Sequence, residues 1–159
     1  MLKNLRYLLD PSFRHAIEIR HTSWFNDLFY NYLKEKNYCL VWSQQDTLIT
    51  PPILTSDFVY LRLIRDRSID ERDFGKINKD RTKEMKRWVT ILRNLQRNVK
   101  DVKTAIVSAN NHYAGFGPMT TKLFAEMIGL TRTISFPIQD HKSFIKMINL
   151  DRYQNENSF

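Results

Sequence analysis

Phe58-Val59-Tyr60-Leu61-Arg62-Leu63 reads as a β-strand, with Tyr60 and Arg62 sharing one face. Polar side chains on the inner face of a sheet are costly to bury unless they are paired or used. Downstream, residues 64–78 are charged and loop-like, and residues 80–97 carry Met85, Trp88, Val89, Leu92 and Leu95 on one helical stripe. Thr104 to Ala109 reads as the next strand. Upstream, Gln44 to Asp57 is irregular and contains Pro51-Pro52, and Tyr38 to Ser43 reads as a strand. Before it, Ser23 suits the N-cap of a helix with the stripe Trp24, Phe25, Leu28, Phe29, Tyr32 and Leu33. A strand over Ala16 to Arg20 puts Ile17 and Ile19 on one face and Glu18 and Arg20 on the other. A first helix over residues 2–9 uses Leu2, Leu5, Leu8 and Leu9 and closes at Pro11.

After Ala109 comes Asn110-Asn111-His112-Tyr113-Ala114-Gly115-Phe116-Gly117-Pro118. Pro118 suits a first helical turn, Leu123, Phe124, Met127 and Ile128 continue the helix, and Gly129 suits its C-terminal cap. Residues 140–150 are expected to form one more short helix, and the polar tail 151–159 is expected to fray. Strands alternating with helices predict an α/β fold, a parallel sheet of about four βα units in one domain over residues 1–150. No GxGxxG or GxxxxGK[ST] element follows a strand, which counts against nucleotide-binding doubly wound folds.

The chain has 159 residues, one Cys, four His and a net charge of +8. One Cys forbids an internal disulfide and a multi-cysteine metal site, and Cys39, inside an apolar run, reads as a small buried hydrophobe. No apolar stretch approaches the ~20 residues that span a bilayer, and Met1 to Tyr7 lacks a signal-peptide core. The cytoplasm is the expected location. Between Arg62 and Lys103 there are 14 Lys and Arg against 7 Asp and Glu, nearly the whole surplus of the chain. Such a stretch is either a solvated helix face with its loops or an electrostatic footprint for nucleic acid.

Ligands of parallel α/β folds bind at the C-terminal ends of the strands. Glu18, Arg20, His21, Ser43, Tyr60, Arg62, Asn110, Asn111 and His112 lie at or near such ends. Glu18 pairs naturally with Arg20 or Arg62, either as a structural ion pair or as part of a site. His21 and His112 are candidate general bases, with loop hydrogen bonding as the plainer alternative. No His or Cys spacing supports a metal site. Asn110 to Thr121 is the candidate anion loop, because Gly115 and Gly117 precede a Pro-started helix whose backbone N–H groups attract anions. A tight turn that needs glycine is the alternative.

Four of these segments also resemble a known family. Glu18-Ile19-Arg20-His21-Thr22-Ser23-Trp24-Phe25, Leu40-Val41-Trp42-Ser43, Phe58-Val59-Tyr60-Leu61-Arg62 and Asn110-Asn111-His112-Tyr113-Ala114-Gly115 occur in the order of the "domain of unknown function 72" family, the YecE-like proteins. The resemblance implies a TIM-barrel-like fold, with Glu18, Arg20, His21, Tyr60, Arg62, Asn110 and Asn111 lining the pocket. It names no reaction. Where the family tends to carry Gly after the Tyr60 strand, this chain has Arg65. The resemblance starts about halfway along the family's barrel, and a complete barrel needs ~250 residues, or about 200 at the short end. The chain therefore reads as the C-terminal half of a TIM barrel, its other half encoded separately, lost or removed.

The leading functional expectation is binding or turnover of an anionic, phosphate-bearing ligand. Arg20, His21, Tyr60, Arg62, Asn110, Asn111 and Gly115 would bind it, and Glu18 or His112 would act as acid or base. A nucleic-acid partner for the 62–103 segment and a half-barrel acting only with a partner chain are the alternatives. These residues name neither an enzyme class nor a cofactor. Four strands cannot close a barrel, so Phe58 and Ile106 on the inner face would meet water at about 1.5–3 kcal/mol for each one fully exposed. The chain is therefore expected to associate with itself or with an N-terminal barrel half. Light scattering should show a species larger than the 19.1 kDa monomer, and a monodisperse monomer with a cooperative melt would refute this.

Overall fold

The alternation of Phe58–Leu63 finds a hydrogen-bonded strand on each side. The computed structural model describes residues 9–64, 68–130 and 144–149. Its strands are β1 (Ala16–Ile17), β2 (Cys39–Leu40), β3 (Trp42–Gln44), β4 (Phe58–Leu63), β5 (Thr104–Ala109) and β6 (Phe144–Asn149). Its helices are α1 (Asp27–Glu35), α2 (Thr82–Asn98), the single turn α3 (Asn111–Ala114) and α4 (Gly117–Met127). β1 pairs parallel with β2, β3 with β4, and β4 with β5. β2 and β3 are separated by Val41 alone, so the chain runs directly from one pairing into the other. This is the α/β architecture of half a TIM-type barrel, with no closed barrel among the described residues.

Period-2 geometry gives the sheet two different faces. Leu40, Trp42, Val59, Leu61, Leu63, Ala105 and Val107 are buried in one core with the helices. α1 contributes Phe29 and Leu33, and α2 contributes Met85, Trp88, Val89 and Leu92. The Trp88 ring stacks on Trp42 at 5.9 Å, and its indole N–H donates to Gln44 Oε1 at 2.9 Å. The irregular stretch after β3 is fastened by its own polar groups. Thr55 accepts from Leu40 N–H and donates to Tyr38 C=O, both at 2.8 Å, and the Trp42 indole donates to Ile53 C=O at 3.1 Å.

Several boundaries differ from the sequence expectation. The helix expected after Ser23 begins at Asp27, because Thr22–Trp24 forms a 3-10 turn capped by His21 and the cap of α1 is Asn26. Leu28, expected on the buried stripe, is 79% exposed, since the inward face of the shorter helix is set by Phe29 and Leu33. The first strand stops at Ile17, where Val41 N–H takes its carbonyl at 3.0 Å and the pairing ends. Asn111–Ala114 forms a helical turn inside the expected loop. Within residues 140–150, a helix was expected and a strand is found: Phe144–Asn149 pairs antiparallel with β5, which supplies the hydrogen-bonded edge that a six-residue run of mixed character needs to become extended. Phe58 is buried, with the Arg14 guanidinium 5.6 Å from its ring centre, so it is not left in water. The expected helix over residues 2–9, Arg65 and the tail 151–159 lie outside the described residues, save Leu9.

The Trp88–Gln44 bond joins α2 to β3 inside the core, where an unpaired polar atom costs about 1–3 kcal/mol. Trp88→Phe should therefore lower the melting temperature by about 2–4 °C for each kcal/mol lost. Adding Gln44→Leu should recover part of the loss, measured by calorimetry.

Candidate functional site

The face of the sheet opposite the helices is built from the other set of alternating positions. On β4 these are Phe58, Tyr60 and Arg62. The parallel register sets Arg62 between Ser43 of β3 and Ser108 of β5, and sets Tyr60 beside Ile106. The lower part of this face is apolar and the part nearest the C-terminal strand ends is polar.

Glu18 organises that polar end. It follows β1 directly, and its side chain is only 15% exposed. Ser43 Oγ donates to Glu18 Oε1 at 3.0 Å. Glu18 Oε2 accepts from Arg20 at 3.2 Å and also from Arg62 Nη1. One carboxylate thus holds two guanidinium groups. The Arg62 side chain is 31% exposed and that of Arg20 is 60% exposed. Arg62 Nε is buried without a hydrogen-bond partner among the described residues. Ser108 Oγ donates a long bond to the Tyr60 hydroxyl at 3.4 Å. Glu18, Arg20, Arg62 and Ser43 are therefore one connected cluster, with Tyr60 and Ser108 on the same face beside it.

The remaining candidates occupy their own loops. His21 Nδ1 lies 2.8 Å from Ser23 Oγ and accepts from Ser23 N–H at 3.2 Å, so its ring caps the 3-10 turn. His112 Nε2 is 3.7 Å from Glu71, and its ring meets the Phe74 ring edge-on at 4.8 Å. Its Nδ1 is buried without a partner among the described residues. Asn110 joins strand ends through its backbone N–H to Leu63 C=O at 3.1 Å. Asn111 Oδ1 accepts from Gly117 N–H at 2.8 Å. Because Pro118 has no N–H, that bond leaves few donors at the start of α4 for an external anion. Gly115 has φ +104°, and a Cβ there would lie 2.3 Å from Lys76 C=O. Its lack of a side chain lets the 74–79 loop cross close above the turn, where Gly75 N–H bonds Gly115 C=O at 3.1 Å.

The sequence reading missed a second polar cluster. Arg81, just before α2, donates to Tyr113 C=O at 3.1 Å, Glu84 at 3.3 Å and Asp46 at 3.1 Å. Burial pushes the Tyr113 phenol up, with the Glu84 charge adding to the effect. These partners are 32 or more residues apart except for Glu84, so no local spacing announces them. Burial pushes the Cys39 thiol up to about 11, which leaves it a protonated core side chain at neutral pH. Among the described residues, no group of three His, Cys, Asp or Glu side chains could hold a metal ion. No helix among them is long and apolar enough to cross a membrane. A cavity of about 390 Å³, lined by residues such as Phe13, Arg14 and Tyr38, shares no residue with the Glu18 cluster.

Parallel strands with helices on one face and a charged cluster at the C-terminal ends of the other define a barrel-type α/β protein. The chain belongs to the family described as "Protein of unknown function DUF72", whose model matches residues 1–142. Its fold is similar to that of a DUF72 family protein from Thermotoga maritima MSB8, with a TM-score of 0.61 at 24% identity. The similarity covers 80% of this chain and 51% of that one, so the chain spans about half of that protein's length. No curated protein matches it.

Removing Glu18 would leave Arg62 and Arg20 without their shared acceptor. Hydrogen bonds to charged groups contribute about 1.5–3 kcal/mol, so Glu18→Ala should lose that order of stability in urea titration. Removing both ends of the inner pair, as Glu18→Ala/Arg62→Met, should cost less than Glu18→Ala alone.

Proposed function

We propose that the protein binds an anionic small molecule, phosphate-bearing or carboxylate-bearing, at the C-terminal ends of β1, β3, β4 and β5. The observation that carries this reading is the sharing of one carboxylate, Glu18, by two guanidinium groups. The cluster keeps one positive charge in excess, and exposed Arg20 and partly buried Arg62 offer donors in the fork geometry that matches oxyanions. Half-buried Tyr60 adds a hydroxyl on the same face, while buried Ser43 and Ser108 hold Glu18 and Tyr60 in place. Glu18 serves here as the group that positions both arginines, because its oxygens already accept three bonds. His112 makes its contacts with Glu71 and Phe74, which together with the bonds on Glu18 favours binding over acid–base turnover by either residue.

A second reading concerns assembly. The four-stranded sheet does not close on itself among the described residues, which supports covering of its inner face by a partner half or a second copy.

Calorimetric titration with inorganic phosphate at constant ionic strength tests the binding reading. Arg20→Met and Arg62→Met should each weaken binding by about 10- to 100-fold, the equivalent of one charge-assisted hydrogen bond. Lys34→Met, away from the cluster, should not. Unchanged affinity in both arginine variants would overturn the proposal.

A further inference from the structure

A second charged feature lies on the opposite side of the sheet and shares no residue with the anion cluster. Lys83, Lys86, Arg87, Arg93 and Arg97 of α2 are all exposed. At 100° per residue they fall on one side of the helix, opposite buried Met85, Trp88, Val89 and Leu92. They run for about 21 Å at 1.5 Å per residue. Thr90 and Asn94, between them, are exposed and uncharged. The one acid of the helix, Glu84, is held by Arg81 at 3.3 Å. Asp80, before the helix, accepts from Thr82 N–H at 2.8 Å and feels the Lys86 charge without forming an ion pair with it. The five cations form no ion pair among the described residues. Arg93 is fixed in place by Met127 C=O at 2.9 Å, and Arg87 lies over the Trp88 ring at 5.8 Å.

This arrangement works against the helix that carries it. Lys83 and Arg87, and Arg93 and Arg97, are like charges at i,i+4, which destabilise an isolated helix. Lys83 and Lys86 also sit in the first half of α2, toward the positive end of its dipole. Neighbouring α4 exposes one Lys122 and one Glu126, so it neither extends nor cancels the stripe.

We infer that the outward face of α2 docks nucleic acid through its phosphate backbone. A duplex presents a line of negative charge along its length, and a straight row of unpaired cations releases condensed counterions when it docks there. The face has no apolar side chain to enter a bilayer, which favours nucleic acid over a membrane surface. Contacts to phosphates carry no sequence information, so binding in this mode is independent of sequence.

Fluorescence anisotropy with a labelled 20-base-pair DNA duplex tests this. Five phosphate contacts predict a log–log salt slope near −4.5, or about 500-fold weaker binding between 50 and 200 mM salt. Lys83→Gln/Lys86→Gln/Arg97→Gln should cut that dependence to about 10-fold. Lys34→Gln/Lys76→Gln/Lys122→Gln removes the same charge from other surfaces and should leave the slope within about one unit of the starting protein. The inference fails if the duplex does not bind at 50 mM salt, or if both triple variants lose slope equally. It also fails if vesicles of phosphatidylserine and phosphatidylcholine bind more tightly than the duplex.

Discussion

Everything in this protein turns on the two-sidedness of β4. A parallel strand hydrogen-bonded on both edges has no freedom to rotate its side chains from one face to the other. Val59, Leu61 and Leu63 are committed to the helices, and Phe58, Tyr60 and Arg62 to the other face. Pairing with β3 and β5 fixes the height of each residue as well, so that Arg62 is level with Ser43 and Ser108. Glu18 then needs only to follow the end of β1 to meet it. A one-residue slip of the β3–β4 pairing would set Arg62 opposite Trp42 or Gln44 instead of Ser43, and a slip of the β4–β5 pairing would set it opposite Val107 or Ala109 instead of Ser108.

Much of this was legible in the chain. The period of two in β4 and β5, and the helical stripe of Met85, Trp88, Val89 and Leu92, are strong local signals that tertiary packing agrees with. Glu18, Arg20 and Arg62 could be grouped because strand ends in a parallel sheet face one rim. Other features depend on partners far away in sequence. Phe144–Asn149 is too short to declare its own periodicity, and the open edge of β5 decides it. Ser23 and Asn26 are both competent caps, and the choice between them is made by the 3-10 turn that His21 closes. The hydroxyls of Ser43 and Ser108 gain meaning only through register, and the Arg81 cluster only through the meeting of three loops.

Gly115 shows how one residue type can carry two readings. A glycine before a helix suggests an anion cradle, yet here its missing side chain makes room for a neighbouring carbonyl. The loop after β4 and the turn after β5 are thereby locked together, Asn78 N–H bonding Ala114 C=O at 2.7 Å. The lock holds the two loops that bring His112 against Phe74.

The reversed direction of β6 bears on how the sheet can grow. It occupies the β5 edge where a further parallel strand of a barrel would add. β6 belongs to the same chain and begins 14 residues after Leu130. A tether that short gives it an effective concentration on the order of millimolar at that edge. A strand arriving from another molecule at micromolar concentration competes there at a disadvantage of roughly a thousandfold. β1 lies at the edge of the separate two-stranded sheet, so the chain acts as its own terminator at the β5 edge of the four-stranded sheet and nowhere else among the described residues.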